Sequence, residues 1–260
     1  MLSAHTIYYN AGGKDILKGI TASLSPGKFH MILGPNGSGK SSLLKIIGGE
    51  LKPKNGQITY GLKDIASYSK ESLARIRAVM SQQPELNFPL TAEEVILMGR
   101  YPHFHIAPQK RDLDIVEEVM QRMNLSPFRN RNYLSLSGGE RQRVQFARVM
   151  AQVWEKPMEG IRCLLLDEPL NSLDINYQHE FLRVASRLLD NDTVIVAIVH
   201  DLNLALQYAD NLLFLKEGQL MAQGSPKSVL NESLLENIFG LQARITENPL
   251  DHSPMVVFQK

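Results

Sequence analysis

One cysteine in 260 residues, Cys163, leaves no partner for a disulfide framework. It lies in the apolar run "CLLLD", which predicts a buried thiol in a reducing compartment. An excess of either charge is also missing: 28 Lys and Arg stand against 27 Asp and Glu, a formal net charge of +1. That balance makes no electrostatic case for nucleic acid or for an anionic membrane surface as a partner. No apolar run approaches the ~20 residues needed to cross a bilayer. The opening "MLSAHTIYYN" lacks a basic start followed by an apolar stretch, so the chain is expected to be neither exported nor embedded in a membrane by itself. Heptads, internal repeats and low-complexity segments are absent as well.

What is there reads as α/β. The length allows one large domain or a core with a subdomain. "FHMIL" (29–33), "CLLLD" (163–167) and "TVIVAIV" (193–199) are short apolar runs of the kind that form parallel strands covered on both faces. "TAEEVILMG" and "RDLDIVEEVMQRMNL" carry apolar residues at helical spacing with no convincing strand between them. This predicts an α-helical subdomain, at about 84–154, inserted into a core formed by 1–83 and about 155–240. The tail, 241–260, is expected to be loop with one terminal strand, "MVVF".

The stretch "GRYPHFHIAP", Gly99 to Pro108, puts two histidines, two aromatic rings and two prolines into ten residues. His103 and His105, one residue apart, would share a face if the backbone were extended. No Cys, Asp or Glu lies between residues 95 and 111 to complete a tetrahedral metal set. Prolines at 84, 89, 102 and 108 predict an irregular backbone here, and Tyr101 and Phe104 read as contact residues for a partner.

"GPNGSGKSS" follows the strand "FHMIL" directly and leads into the helical "SLLKIIG". Strand, glycine-rich loop and helix in that order form a phosphate cradle. Gly34, Gly37 and Gly39, with Pro35, Asn36 and Ser38 between them, let backbone N–H groups converge on phosphate oxygens at a helix N-terminus. Lys40 is spaced to reach the β- and γ-phosphates of ATP, and Ser41 to coordinate Mg²⁺, with Ser42 beside it. "CLLLDEP" then supplies Asp167 for the magnesium side and Glu168 as a general base toward water. Further on, Ser137, Gly138 and Gly139 open a second helical pattern, a second helix start able to bind an anion.

Together, "GPNGSGKSS", "LSGGERQR" (136–143) and "LLLDEP" resemble the ABC ATPase cassette over nearly the whole chain. The resemblance implies a P-loop NTPase (RecA-like) core, an N-terminal antiparallel β subdomain and an inserted helical subdomain. It implies two cassettes packed head to tail, so that Ser137, Gly138 and Gly139 of one face the ATP held by the other. Gln82 in "VMSQQP", or alternatively Gln83, resembles the loop glutamine that senses Mg²⁺ and connects to the membrane subunit. Asp174 in "NSLD" resembles the aspartate that communicates across the dimer, and His200 the histidine that contacts the γ-phosphate. Tyr9, with Tyr8 adjacent, resembles the aromatic residue stacked on adenine. Two departures remove no ligand: Ser42 stands where threonine is usual, and so does Leu170.

A single cassette with no fused membrane segment has the layout of a bacterial importer ATPase. "MGRYPHF" resembles the iron-complex, haem and cobalamin import group. The segment with extra residues Glu155 to Arg162 before "CLLLD" is most like that group's haem branch, with ferric siderophore and cobalamin as alternative cargoes. Partners implied are a second cassette, two transmembrane permease subunits and a periplasmic substrate-binding protein, on the cytoplasmic face of the inner membrane. A soluble ATPase of iron–sulfur cluster assembly is the alternative outside transport.

Overall fold

A computed structural model describes residues 1–81, 86, 88–157, 160–171, 173–250 and 252–259. The chain begins with two long antiparallel strands, β1 (Leu2–Ala11) and β2 (Lys14–Leu24), and enters the main sheet at β3 (Lys28–Leu33). Helix α1 (Lys40–Ile47) follows, then β4 (Asn55–Tyr60), β5 (Lys63–Asp64), α2 (Lys70–Ile76) and β6 (Arg77–Met80). Next come α3 (Ala92–Leu97), a 3₁₀ turn at Met98–His103, α4 (Lys110–Arg122) and α5 (Gly138–Gln152). The chain returns to the sheet as β7 (Arg162–Leu166), α6 (Ile175–Ser186), β8 (Thr193–Ile198), α7 (Leu202–Tyr208), β9 (Asn211–Lys216) and β10 (Gln219–Gly224). It closes with α8 (Pro226–Val229), α9 (Glu232–Phe239), β11 (Ala243–Glu247) and β12 (Pro254–Phe258).

The main sheet runs β10-β9-β3-β8-β7-β6, parallel except for β10 at one edge. The central strands β3, β7, β8 and β9 are buried on both faces, which is why they read as largely apolar runs. Successive residues of β7 show the alternation: Cys163 and Leu165 join one core, Leu164 and Leu166 the other. The first core lies under α1 and an antiparallel sheet of order β2-β1-β4-β5. The second lies under the helices from α3 to α7 and α9. Because β3, β6, β7 and β8 are parallel, their C-terminal ends share one edge. The segments at Gly34, Asp167 and His200 therefore leave the sheet side by side, the usual place for a ligand in an open α/β sheet.

One detail differs from the sequence reading. The tail is a two-stranded sheet, β11 with β12, because a lone "MVVF" strand would leave its backbone groups unpaired. Asn203 of α7 holds that sheet by donating to the Val256 carbonyl (3.1 Å) and accepting from the Val256 N–H (2.8 Å). In "GRYPHFHIAP" the irregular backbone that the prolines predict is a 3₁₀ turn running through Pro102, so His103 and His105 do not alternate on a strand face. His103 Nε2 lies 2.8 Å from the Gln152 carbonyl, while His105 is exposed.

The same turn is welded to α5. A Cβ on Gly99 would lie 2.1 Å from the Arg148 carbonyl oxygen, so only glycine permits this approach. Arg100, 1% exposed, donates to Asp112 (2.9 Å), the Ala151 carbonyl (2.9 Å) and Glu155 (2.7 Å). Tyr101 stays exposed beside Phe104, the rings edge to face at 5.7 Å. The "extra" residue Glu155 thus has a local role as a ligand of this buried arginine.

Candidate functional site

The glycine-rich loop leaves β3 in the middle of the sheet. Gly34 has φ +147, and a Cβ there would sit 2.0 Å from the Leu215 carbonyl oxygen. Gly39, at the N-terminal boundary of α1, has φ +99. These glycines curl the backbone back over the helix start. Lys40 is the first residue of α1, and its ammonium donates to the Gly34 (2.8 Å) and Pro35 (2.9 Å) carbonyls, which holds the charge across the loop. Burial pulls the Lys40 ammonium below its ordinary value, and Glu168 and Asp167 partly offset this. Ser38 Oγ is buried with no hydrogen-bond partner among the described residues. An unpaired buried hydroxyl costs about 1–3 kcal/mol, so this oxygen beside a cationic cradle suits a phosphate ligand.

Asp167 lies just past β7, with its N–H bonded to the Met80 carbonyl at 2.9 Å. The Ser41 hydroxyl donates to its Oδ1 at 3.1 Å. Burial raises the Asp167 carboxyl above the usual range, opposed chiefly by the Ser41 hydrogen bond. Hydroxyl and carboxylate oxygens are the hard donors that Mg²⁺ prefers, and with phosphate oxygens they fit its donor set.

Glu168 follows with φ 52, a left-handed conformation rare for this residue type. His200 Nε2 is 2.7 Å from Glu168 Oε1, and the Asn171 amide donates to Oε2 at 2.6 Å. Burial pushes the Glu168 carboxyl up, but His200, Asn171 and Lys40 outweigh it, and the net shift is downward. An ionised carboxylate beside a phosphate cradle can take a proton from water. Asn36, Gly37, Gly39, Lys40, Ser41, Ser42 and Glu168 line one open cleft, with Ile16 of β2 as its apolar wall.

Ser137 begins α5. Its hydroxyl accepts from the Glu140 N–H (3.3 Å) and its N–H donates to Glu140 (2.7 Å), a reciprocal cap that leaves Ser137 and Gly138 exposed. Asp174 caps α6 with its side chain alone, accepting from the Tyr177 N–H at 3.1 Å. The Gln142 side chain donates to the Pro169 carbonyl, linking α5 to the turn after Glu168. Neither cap belongs to the cleft within one chain.

A sequence model described as ABC transporter matches residues 17–171. The chain belongs to the ABC transporter family. It is 41% identical over 257 residues to the hemin import ATP-binding protein HmuV of Gloeobacter violaceus, covering 99% of this chain and 94% of that one. Identity to the protein of the same name in Methylobacillus flagellatus is 42%, over 96% of this chain and 93% of the relative. Among solved structures, a dimeric post-hydrolysis ATP-binding cassette bound to ADP and phosphate matches with a TM-score of 0.72 and 26% identity, over 87% of this chain and 99% of that one. The chain is therefore an ATP-binding cassette and an ATPase.

In this cassette, Gln82 and the neighbouring Gln83 lie outside the described residues. Tyr9 is half-buried on β1 opposite Leu17, and Tyr8 turns its ring toward Gly19; neither lines the cleft. Ile16 and Asn171 are two site residues that the sequence reading did not single out. Ile16 has no motif, since it reaches the loop only through strand pairing. Asn171 did carry a local signal, lying three residues beyond Glu168 across a proline, a common turn arrangement.

Proposed function

We propose that this cassette is the ATP-hydrolysing subunit of a bacterial importer for hemin, working as a homodimer beneath two transmembrane permease subunits. The observation that carries the enzymatic part is the convergence of Ser41 with Asp167 (3.1 Å) and of Glu168 with His200 (2.7 Å) at one sheet edge. Support for the cargo comes from relatives near 40% identity, named as hemin import ATP-binding proteins, that span almost the whole chain.

In this reading Gly34 to Ser42 bind the phosphates of ATP through backbone N–H groups and the N-terminus of α1, and Lys40 reaches the β- and γ-phosphates. Ser41, Asp167 and Gln82 would hold Mg²⁺, which when bound offsets the negative charge of the phosphate oxygens. Glu168 receives the proton of the attacking water, held in place by His200, whose ring also faces the γ-phosphate. Ile16 offers the adenine ring an apolar wall, with Tyr9 as the aromatic candidate on the neighbouring strand. Ser137, Gly138 and Gly139 of one chain complete the site of the other, and Asp174 spans the interface. Closing the two cassettes moves the helical segment of about 84–154 against the core of 1–83 and about 155–240, and Tyr101 and Phe104 present that movement to the permease. The assembly sits on the cytoplasmic face of the inner membrane, receives hemin through a periplasmic binding protein and has no nucleic-acid partner.

The test is reconstitution of the cassette with the permease and binding protein encoded beside it, in vesicles loaded with ATP. Hemin uptake is expected with wild-type protein and is lost in Glu168→Gln, which keeps ATP binding while turnover falls by ~100-fold or more, the scale of a lost general base. Uptake of a ferric siderophore or cobalamin in place of hemin overturns the cargo, and wild-type turnover in Glu168→Gln overturns the assignment of the base.

A further inference from the structure

The turn after β7 holds Glu168 from two directions. One is His200, whose Nε2 approaches Oε1 at 2.7 Å. The other is Asn171, and its grip is double: the side-chain amide donates to Glu168 Oε2 at 2.6 Å, and the backbone N–H donates to the Glu168 carbonyl at 3.3 Å. The four residues Glu168, Pro169, Leu170 and Asn171 close a tight turn around the carboxylate. Glu168 itself has φ 52, a strained backbone state that persists only where neighbouring contacts enforce it.

The geometry points to Asn171 as a positioning residue for ATP hydrolysis, one that fixes the plane and reach of the Glu168 carboxylate and ties them to the turn leading into Asp174. His200 and Asn171 sit on different oxygens, so rotation of the carboxylate about its last bond breaks at least one of these two short contacts. The far side of the turn is anchored independently of the nucleotide. Gln178 donates to the Leu173 carbonyl at 3.1 Å, Asp174 caps α6, and Gln142 of α5 donates to the Pro169 carbonyl. A shift of α5 or of the start of α6 is therefore carried through Pro169 and Asn171 to the carboxylate. Asn171 is exposed, so it contributes little to the core, and asparagine suits the place because its amide donates without adding charge beside Glu168.

This inference rests on Glu168 acting as the base, and the experiment separates the two. Purified full-length wild type, Asn171→Ala, Asn171→Asp, Glu168→Gln and the Asn171→Ala/Glu168→Gln pair are compared for kcat, KM for ATP, binding of a fluorescent ATP analogue, and thermal midpoint. Asn171→Asp keeps the shape and the backbone N–H but replaces the donor with a like charge. The expected result is a fall in kcat of ~10- to 100-fold for both Asn171 variants, the scale of a reacting group displaced by an ångström or less. KM, nucleotide binding and thermal midpoint stay close to wild type. In the Glu168→Gln background, Asn171→Ala has almost no further effect, because the residue it positions is already gone. Wild-type kcat in Asn171→Asp overturns the inference, as does a loss of turnover matched by loss of nucleotide binding or of thermal stability. Full additivity in the double variant also overturns it. Wild-type turnover in Glu168→Gln instead sinks the underlying assignment, whatever Asn171 does.

Discussion

His30 shows how one side chain in the centre of β3 sets a pH limit far from the nucleotide. It is fully buried, with Nε2 2.9 Å from the Ser25 carbonyl and Nδ1 2.9 Å from the Asn211 amide. The carbonyl can only accept and the amide donates, so the ring is held neutral, with the proton on Nε2. Burial lowers its affinity for a second proton below the ordinary 6.5, more than the Ser25 bond and Asp210 restore. His103 is shifted downward as well, again mainly by burial. In acid the unfolded chain therefore takes up protons that the folded chain refuses. The stability these rings contribute is complete above about pH 6.5 and is lost as pH falls through their folded values. Urea midpoints are expected to drop between about pH 7 and 5, and His30→Gln to flatten that slope. An unchanged slope would remove His30 from the acid response.

At the scale of elements, the informative assembly is the 3₁₀ turn at Met98–His103 clamped to the C-terminal end of α5. Arg100 binds Asp112 of α4, the Ala151 carbonyl of α5 and Glu155 beyond it. Gln152 adds two bonds from its amide, to the Ala74 (2.8 Å) and Arg77 (3.0 Å) carbonyls of α2 and β6. The Arg75 guanidinium returns to the Pro102 carbonyl at 2.8 Å. Truncating one member of a buried ion pair leaves the other uncompensated, at a cost of ~3–5 kcal/mol, whereas replacing both with apolar residues costs far less. Arg100→Ala should lower the urea unfolding free energy by that amount, and Arg100→Met with Asp112→Leu should recover most of it. Equal stabilities for the two variants would show that the ion pair is not what holds the turn.

For the whole molecule, the main consequence concerns Ser137. Within one chain its hydroxyl is spent on capping α5, whereas in the proposed dimer it faces the ATP of the partner. These two roles separate in Ser137→Asp, because aspartate is as good a cap as serine but places a negative charge toward phosphate. The variant should fold, bind ATP as a monomer and keep its thermal midpoint, yet, combined with Glu168→Gln, fail to form the ATP-dependent dimer that Glu168→Gln alone is expected to show in sedimentation velocity. A Ser137→Asp dimer as stable as that of the serine form would contradict a composite site.

Much of this arrangement was legible in the residues alone. "FHMIL" followed by "GPNGSGKSS" admits little but a strand, a phosphate loop and a helix, because glycine spacing and the Lys40–Ser41 pair are local demands of phosphate chemistry. The apolar runs gave the parallel strands, since burial on both faces favours apolar residues along most of their length. "GRYPHFHIAP" was legible only in part: prolines foretold its irregular backbone, but nothing in the sequence paired Gly99 with Arg148 or Arg100 with Asp112 and Glu155. The C-terminal sheet was missed because a strand needs a partner that local pattern does not name. By itself the sequence determined the family, the fold class and the phosphate-loop chemistry, all of which depend on residues close in the chain. Only the tertiary structure decided that His200 and Asn171 hold Glu168 from two sides, and that Ile16 walls the cleft. Those contacts depend on which strand ends meet at the sheet edge and on how a turn closes, and such meetings are set by global packing, not by local pattern.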